Sequence, residues 1–149
     1  MVEEKRIFDQ LLKHEQGEKV SSIRTEMQNQ MEKNVGIYRE ENRLKEACRI
    51  VGELKTRLKN GIVEDKDHVY NTELVASLEL DFMLDVAETI PYSALQRHES
   101  RGAHYRTDYT KRDDANFLKH SMAHKTTGPP RIDYSPVTIT RWKPEERVY

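Results

Sequence analysis

Several features that mark common functional classes are scarce in this sequence of 149 residues. Cysteine occurs once, as Cys48, so the chain has neither a disulfide framework nor a thiolate cluster for zinc or an iron–sulfur centre. No window approaches the run of about 20 apolar residues that a membrane-spanning helix needs. The first ten residues also lack the apolar core of a signal peptide. We therefore expect a cytoplasmic protein whose single cysteine packs in the core, as free cysteines usually do.

Neither sign of charge dominates. The 25 Lys and Arg residues nearly balance the 26 Asp and Glu residues, and the formal net charge is −1. This balance gives no global attraction to nucleic acid, so we expect no nucleic-acid partner, and any basic patch must be local. The hydrophobic share of 36% beside a charged share of 34% suits one small helical domain with a thin core.

Motifs of common catalytic and ligand sites are missing as well. The six glycines form no G-x-G-x-x-G turn, no phosphate-cradling loop and no G-x-S-x-G motif. His120 and His124 have the H-x-x-x-H spacing of helical metal ligands, but their segment alternates like a strand, in which four residues span about 13 Å. That separation is too large for one shared ion. We expect no catalytic, cofactor-binding or metal-binding residue in this chain.

Helical periodicity fills the first part of the chain. It predicts a short helix over Glu3–His14, a second over Ser22–Val35 with Ser21 or Ser22 as N-cap, and a third over Glu40–Asn60. The apolar stripe of the third helix consists of Leu44, Ala47, Cys48, Val51, Leu54 and Leu58. Methionines at helical spacing are usually core residues, and we expect this of Met27, Met31, Met83 and Met122.

A long fourth helix gives the strongest periodic signal. It is predicted to begin after Asn71 or Thr72 as N-cap, to bend at Pro91 and to end at Gly102, since glycine often occupies the left-handed position after a helix. We expect one face of this helix to pack on the core. Its apolar stripe consists of Leu74, Leu78, Phe82, Val86, Ile90 and Ala94.

Beyond Asp114 the helical pattern is lost. Leu118–Lys125 and Arg131–Thr140 are predicted to be two short strands around a turn, the second one an edge or broken strand because of Pro136. The predicted fold is therefore all-α: an antiparallel three-helix bundle, spectrin-repeat-like, with a short extra N-terminal helix and an extended C-terminal tail that carries a small β-hairpin. We expect residues 1–114 to form the bundle and residues 115–149 to form a tail of the same domain, with exposed apolar area around it.

A basic run between His98 and Asp114 is the most unusual stretch. Three interpretations are open for it: a site in which Arg101 and Arg106 clamp a carboxylate or phosphate beside His104, an interface with another domain, or a charged helix end in water.

The same run carries a family resemblance. The segments ESRGAHYRTDYTKRDDANFLKH, IRTEMQNQMEKNVGIYR, VYNTELVASLEL and the terminal ERVY resemble the C-terminal helical domain of the succinate dehydrogenase and fumarate reductase flavoprotein subunit. The resemblance covers residues 20–149 in the family's order. L-aspartate oxidase is similar through the ESRG-x-H run, but that family lacks the tail. Pro91 is a departure, because the family's long helix usually has no proline there.

The resemblance implies a structural role. A complete subunit of this family holds FAD in a dinucleotide-binding domain, interconverts succinate and fumarate beneath a capping domain, and passes electrons to an iron–sulfur subunit and a membrane anchor. The chain then fastens to the FAD-binding domain, is inactive alone, reaches the membrane only through partners, and self-associates when isolated. The implied interface residues are Glu99, Ser100, Arg101, Gly102, His104 and Arg106. The alternatives are an L-aspartate oxidase-type C-terminal domain, a free-standing helical interaction module, and a dicarboxylate or phosphate binder.

Overall fold

The structure is a computed structural model that describes residues 11–145. It contains three long helices: α1 at Val20–Val35, α2 at Glu41–Leu58 and α3 at Thr72–Gln96, with 16, 18 and 25 residues. A single-turn helix, α4, follows at Asp114–Phe117. The helix predicted over Glu3–His14 lies outside the described residues except for its last four positions.

Two pairs of very short strands fix the directions of the helices. Strand β1 (Glu18–Lys19) enters α1 and pairs in parallel with β3 (Gly61–Ile62), which follows α2. Strand β2 (Tyr38–Arg39) leaves α1 and pairs in parallel with β4 (Tyr105–Arg106), which follows α3. The start of α1 thus adjoins the end of α2, and the end of α1 adjoins the segment after α3. The helices run up, down and up, which confirms the predicted helical bundle; the short parallel pairs were not anticipated.

The core lies between the three helices. Its main cluster consists of Val20, Ile23, Met27, Ile50, Val51, Leu54, Leu58, Leu80, Leu84 and Ala87. A smaller cluster of Val35, Leu44, Ala47 and Ala94 lies toward the β2–β4 end. The stripe predicted for α2 is confirmed, because all six of its members are buried. Burial, with the Glu88 charge nearby, raises the pKa of the Cys48 thiol to about 11, as suits an unreactive core residue.

Of the two N-caps that the sequence predicts, one is confirmed. Asn71 is the N-cap of α3, and its side-chain oxygen accepts a hydrogen bond of 2.7 Å from the Leu74 N–H. The prediction of Ser21 or Ser22 as the cap of α1 is wrong. That helix already begins at Val20, whose side chain is buried in the core directly after β1.

Helix α3 buries a different face from the predicted one. Phe82, Val86 and Ile90 are 64%, 62% and 40% exposed. The buried positions of the helix are Ser77, Leu80, Leu84, Ala87, Glu88, Pro91 and Ala94. The helix is apolar on two sides, so its periodicity alone does not tell which side meets α1 and α2.

The long helix also ends earlier than predicted. It continues through Pro91 and stops at Gln96, so the predicted end at Gly102 is wrong. The bend at Pro91 stays a prediction. The reason for the early end lies in the side chains that cap it, described below.

The tail forms the predicted antiparallel hairpin, with β5 at Lys119–His124 and β6 at Arg131–Pro136. The second strand stops at its proline, short of the predicted Thr140. Lys125 forms a 2.5 Å ion pair with Asp85 of α3, which fastens the hairpin turn to the bundle. We propose on this basis that the tail belongs to the same domain.

Apolar side chains of the tail face solvent, as predicted. Ile139 and Trp142 are 45% and 79% exposed. Met122 is 43% exposed, so its assignment to the core is wrong: it lies on the hairpin, whereas Met27 is buried and Met31 and Met83 pack against the core.

Candidate interdomain interface

The predicted interface residues lie in one tight segment after α3. The chain leaves the helix at Arg97, whose backbone is extended, and reverses at Gly102. The φ of Gly102 is 57°, in the left-handed region that suits glycine. The backbone groups of Arg101 and His104 exchange two hydrogen bonds, of 2.8 and 3.0 Å. Gly102 thus forms a separate turn beyond the helix.

Side chains from this segment and the hairpin cap the end of α3. Arg106 Nη1 donates to the carbonyl oxygens of Ala94 at 2.9 Å and Leu95 at 3.3 Å. The Tyr134 hydroxyl of β6 donates to the Gln96 carbonyl at 3.0 Å. The last carbonyls of an α-helix have no donor within the helix, so these side chains satisfy them. They account for the end of α3 at Gln96.

A second arginine caps α1 at the same end of the bundle. Arg39 Nε donates to the carbonyl oxygens of Val35 at 3.1 Å and Gly36 at 3.0 Å. The pairing of β2 with β4 places it beside Arg106. Two guanidinium groups therefore lie at two helix C-termini, where the helix dipole favours cations.

Asp108 neutralises the fully buried Arg106. The Arg106 Nε to Asp108 Oδ1 and Arg106 Nη2 to Asp108 Oδ2 distances are both 2.7 Å, a bidentate pair. The Glu41 N–H donates to Asp108 Oδ2 at 3.0 Å, which ties the pair to the start of α2. Hydrogen bonds from Arg106 lower the pKa of Asp108 to about 2, so this carboxyl group is ionised at neutral pH.

Glu99 is the centre of the second half of the cluster and is fully buried. It accepts hydrogen bonds from Arg97 at 2.8 Å, from Arg101 at 2.9 and 3.0 Å, and from the Asp113 N–H at 2.8 Å. Burial works to raise the pKa of Glu99, but the bonds from Arg101, Asp113 and Arg97 outweigh it, and the pKa is lowered. Arg101 also reaches Asp114 at 2.5 Å, so the network joins the turn to α4.

His104 links the Arg39 cap of α1 to Arg97, the residue that directly follows α3. Its Nδ1 lies 3.1 Å from Arg39 Nη1, and its Nε2 lies 3.1 Å from the Arg97 carbonyl oxygen. Because Arg39 can only donate, Nδ1 accepts and Nε2 carries the proton, as in a neutral imidazole. Burial, together with the charges of Arg39, Arg106 and Arg97, lowers the pKa of His104.

The structure brings the six predicted residues together but turns most of their side chains inward. Ser100 completes the cluster: its Oγ accepts from the Arg106 N–H at 2.8 Å and donates to the Tyr109 carbonyl at 2.7 Å. Arg101 and Arg106, which would clamp a dicarboxylate or phosphate if this were a ligand site, already bind carboxylates of this chain. Their contacts therefore do not favour such a site. An interdomain role for the cluster remains a proposal.

The outward surface of this end is apolar and was missed by the sequence interpretation. Ile37 and Tyr38 are 75% and 68% exposed, and Tyr38 contacts Tyr105 edge-to-face with ring centroids 5.7 Å apart. The exposed Gly102 lies three residues before Tyr105. The sequence did contain a signal for this surface. Ile37 and Tyr38 directly follow Gly36, where α1 ends, so they cannot belong to the apolar face of that helix.

The two histidines of the H-x-x-x-H pair lie on strand β5. His124 has one carboxylate neighbour in the hairpin, with its Nε2 3.4 Å from Asp133 Oδ2. Within residues 11–145, no group of three or more His, Cys, Asp or Glu side chains converges as a metal site would require.

Comparison with known proteins decides the family. Residues 24–149 match the family model described as fumarate reductase flavoprotein C-term. The chain belongs to this family. It is 48% identical over 143 residues to a fumarate reductase flavoprotein subunit of Haemophilus influenzae and 47% identical over 146 residues to one of Mycobacterium tuberculosis. Among solved structures, a mutant quinol fumarate reductase from E. coli is 41% identical with a TM-score of 0.90.

The matched region is a part of each relative. The alignments cover 95% and 97% of this chain but 24% and 25% of the Haemophilus and Mycobacterium subunits, and 98% of this chain but 25% of the E. coli chain. The chain thus spans about a quarter of the length of the relatives it matches. The family agrees with the dehydrogenase and reductase branch that the sequence favoured over L-aspartate oxidase.

In the described part of the chain, none of the helices has both the length and the apolar character to cross a membrane.

Proposed function

We propose that this chain is the C-terminal brace of an FAD-dependent subunit that interconverts succinate and fumarate. The observation that supports it most is 48% identity to a fumarate reductase flavoprotein subunit, confined to a quarter of that subunit. The brace holds its own end rigidly through the Glu99 and Arg106 cluster and presents surfaces to the rest of the subunit. The redox chemistry belongs to the remaining three quarters.

FAD does not fit the described residues. A dinucleotide is held by a glycine-rich turn that leads from a strand into a helix N-terminus with free N–H groups. Here the start of α2 is engaged by Asp108 and the start of α3 by Asn71. The space at Gly17, before α1, is filled by Asn60 and Ile62 of the same chain. We therefore place the flavin in the preceding part of the subunit, where it would supply the redox chemistry that interconverts succinate and fumarate.

The partners follow from the same proposal. The flavin-binding part of the subunit is the direct neighbour. An iron–sulfur subunit would carry electrons between the flavin and a membrane anchor. The chain is then peripheral to the membrane through these partners. The solved relative is a quinol fumarate reductase, which supports an assembly of this kind.

The segment after α3 is the first candidate contact. Glu99, Ser100, Arg101, His104 and Arg106 shape the turn, and the exposed Gly102 with its tyrosine neighbours forms the surface that meets the flavin-binding part. In this arrangement the charged side chains act by holding the turn in place. We expect them to contact no substrate, and we expect no catalytic role for any of the described residues.

A chimera tests the proposal. This chain replaces the matching quarter of the Haemophilus influenzae subunit, to which it is 48% identical. We expect the chimera to retain FAD and to reduce fumarate with an artificial electron donor. Arg101→Ala, which breaks contacts to Glu99 and Asp114, is expected to lower FAD occupancy at least twofold while the KM for fumarate stays within about twofold.

Arg49→Ala is the matched control, because the ion pairs of Arg49 with Glu46 and Glu53 on α2 are exposed. It is expected to leave both readouts unchanged. A raised KM with full FAD occupancy in Arg101→Ala would contradict the proposed role of the cluster. A chimera that folds without FAD would favour the free-standing module instead.

A further inference from the structure

The outer face of α3 carries an exposed apolar stripe, here called the outer stripe: Val75, Phe82, Val86 and Ile90. These side chains are 55%, 64%, 62% and 40% exposed. Their spacing of seven, four and four residues keeps them on one side of the helix, over about 22 Å of its length. Single exposed apolar residues are ordinary, but a continuous row of them marks a contact surface.

The opposite side of the same helix is already in the core. Leu80 and Leu84 are fully buried against the other two helices. A helix that is apolar on both sides is typical of a position between two packed bodies. The described residues supply only one of these bodies.

A rigid loop tip continues the apolar surface at the start of α3. Val69 and Tyr70 are 70% and 96% exposed, and Tyr70 has a φ of 57°, which is costly for a residue with a side chain. The buried Asn71 holds the loop by donating to the carbonyl oxygens of Asp65 at 2.7 Å and Asp67 at 3.0 Å. A strained conformation that presents an exposed tyrosine is typical of a binding loop.

The charge of α3 restricts what docks there. From Thr72 to Gln96 the helix has five Asp or Glu residues and no Lys or Arg, and two of the five, Asp85 and Glu88, already pair with lysines of this chain. Glu79 lies between Val75 and Phe82 of the outer stripe, its side chain is 58% exposed, and it has Arg24 as a distant partner at 3.9 Å. A complementary surface is therefore apolar with basic residues at its edge.

The direction of the chain identifies the occupant. In the proposed subunit the flavin-binding part precedes this chain and connects through β1. That strand is held beside the loop before α3 by the 2.9 Å Lys19–Glu64 ion pair and by Lys66, whose Nζ donates to the His14 carbonyl at 2.8 Å. The chain from the flavin-binding part thus leads into β1 at the end of the bundle where the outer stripe begins.

We infer that the outer stripe, with the Val69–Tyr70 loop tip, is a docking surface for the flavin-binding part of the same subunit. This rests on the proposed function and deepens it. The contact is apolar at its centre, meets basic residues at Glu79, and runs along α3 from the chain entry toward the turn at Gly102.

Cysteine labelling in the chimera described above tests this surface. Val86→Cys is compared with Thr56→Cys, an exposed position on α2. Cys48 adds little background, because it is buried and its thiol pKa is raised to about 11. Relative to this chain alone, maleimide labelling of Val86→Cys is expected to slow at least tenfold in the FAD-loaded chimera, while that of Thr56→Cys stays within about twofold.

The outcomes separate the two proposals. A chimera that fails to bind FAD removes the proposed function and the docking surface together. An FAD-loaded chimera in which Val86→Cys labels as fast as in the isolated chain, or in which both positions are protected alike, overturns the docking surface alone. Protection of Val86→Cys that grows with chimera concentration would assign the stripe to a second copy and also overturn it.

Discussion

The segment after α3 and the outer stripe of α3 are opposites in both composition and exposure. The segment is charged, yet Glu99 and Arg106 are fully buried and their hydrogen-bonding groups are met within the chain. The stripe is apolar, yet Phe82 and Val86 are more than half exposed. The charged residues therefore stabilise this chain, and the apolar ones are those left for a partner. Residue type alone would assign the two roles the other way round.

The sharpest way to break this comparison is to remove the central carboxylate. Glu99→Ala leaves Arg97 and Arg101 without their buried counter-ion, and loss of one partner of a buried pair costs about 3–5 kcal/mol. We expect the free energy of unfolding, measured with urea, to fall by this amount. Glu53→Ala, which removes an exposed pair with Arg49, is expected to change it by less than about 1 kcal/mol. Similar small losses in both variants would show that the cluster contributes little.

The two faces of α3 provide the next comparison. Leu84→Ala opens a cavity in the core and is expected to cost about 2–5 kcal/mol. Phe82→Ala on the outer stripe is expected to change the unfolding free energy of the isolated chain by less than about 0.5 kcal/mol. Thermal unfolding of the two variants measures the difference. A loss at Phe82 as large as that at Leu84 would mean that the stripe is already packed within this chain.

The smallest expected effect is a pH dependence at His104. Its pKa is lowered by burial and by Arg39, Arg106 and Arg97, so the unfolded chain takes up a proton more readily than the folded one. Neutral His104 therefore contributes its full stabilisation, through the contact with Arg39, above the unfolded-state pKa of about 6.5. This contribution is lost as the pH falls below that value. His104→Asn is expected to cost about 1 kcal/mol at pH 8 and less at pH 5. Urea unfolding at the two pH values measures this, and a cost independent of pH would contradict a neutral His104.

Much of the fold could be predicted because local signals agreed with the tertiary contacts. Helix α2 has one apolar stripe, and its six members are buried as expected. Asn71 caps α3 because its short side chain reaches the Leu74 N–H from the adjacent turn. The hairpin followed from alternation around a turn and ended at Pro136, which cannot extend a ladder.

The rest depended on contacts between residues far apart in sequence. The end of α3 is set by Arg106 and by Tyr134, which lies 38 residues from the Gln96 carbonyl it caps. Arg106 is held inward by the adjacent Asp108, which is in turn held by the Glu41 N–H at the start of α2, 67 residues away in sequence. Helix α3 has apolar residues on two faces, so the sequence pattern alone could not predict which face is buried. The family resemblance, in contrast, depended on residue identities alone and was confirmed.

The proposed role of this chain as a brace depends most on where the flavin is held. Equilibrium dialysis with FAD measures bound flavin per polypeptide for the purified chain and for the chimera. We predict none for the chain and close to one for the chimera. One FAD bound by the chain alone would contradict the assignment of the flavin to the rest of the subunit, and with it the role of this chain as a brace.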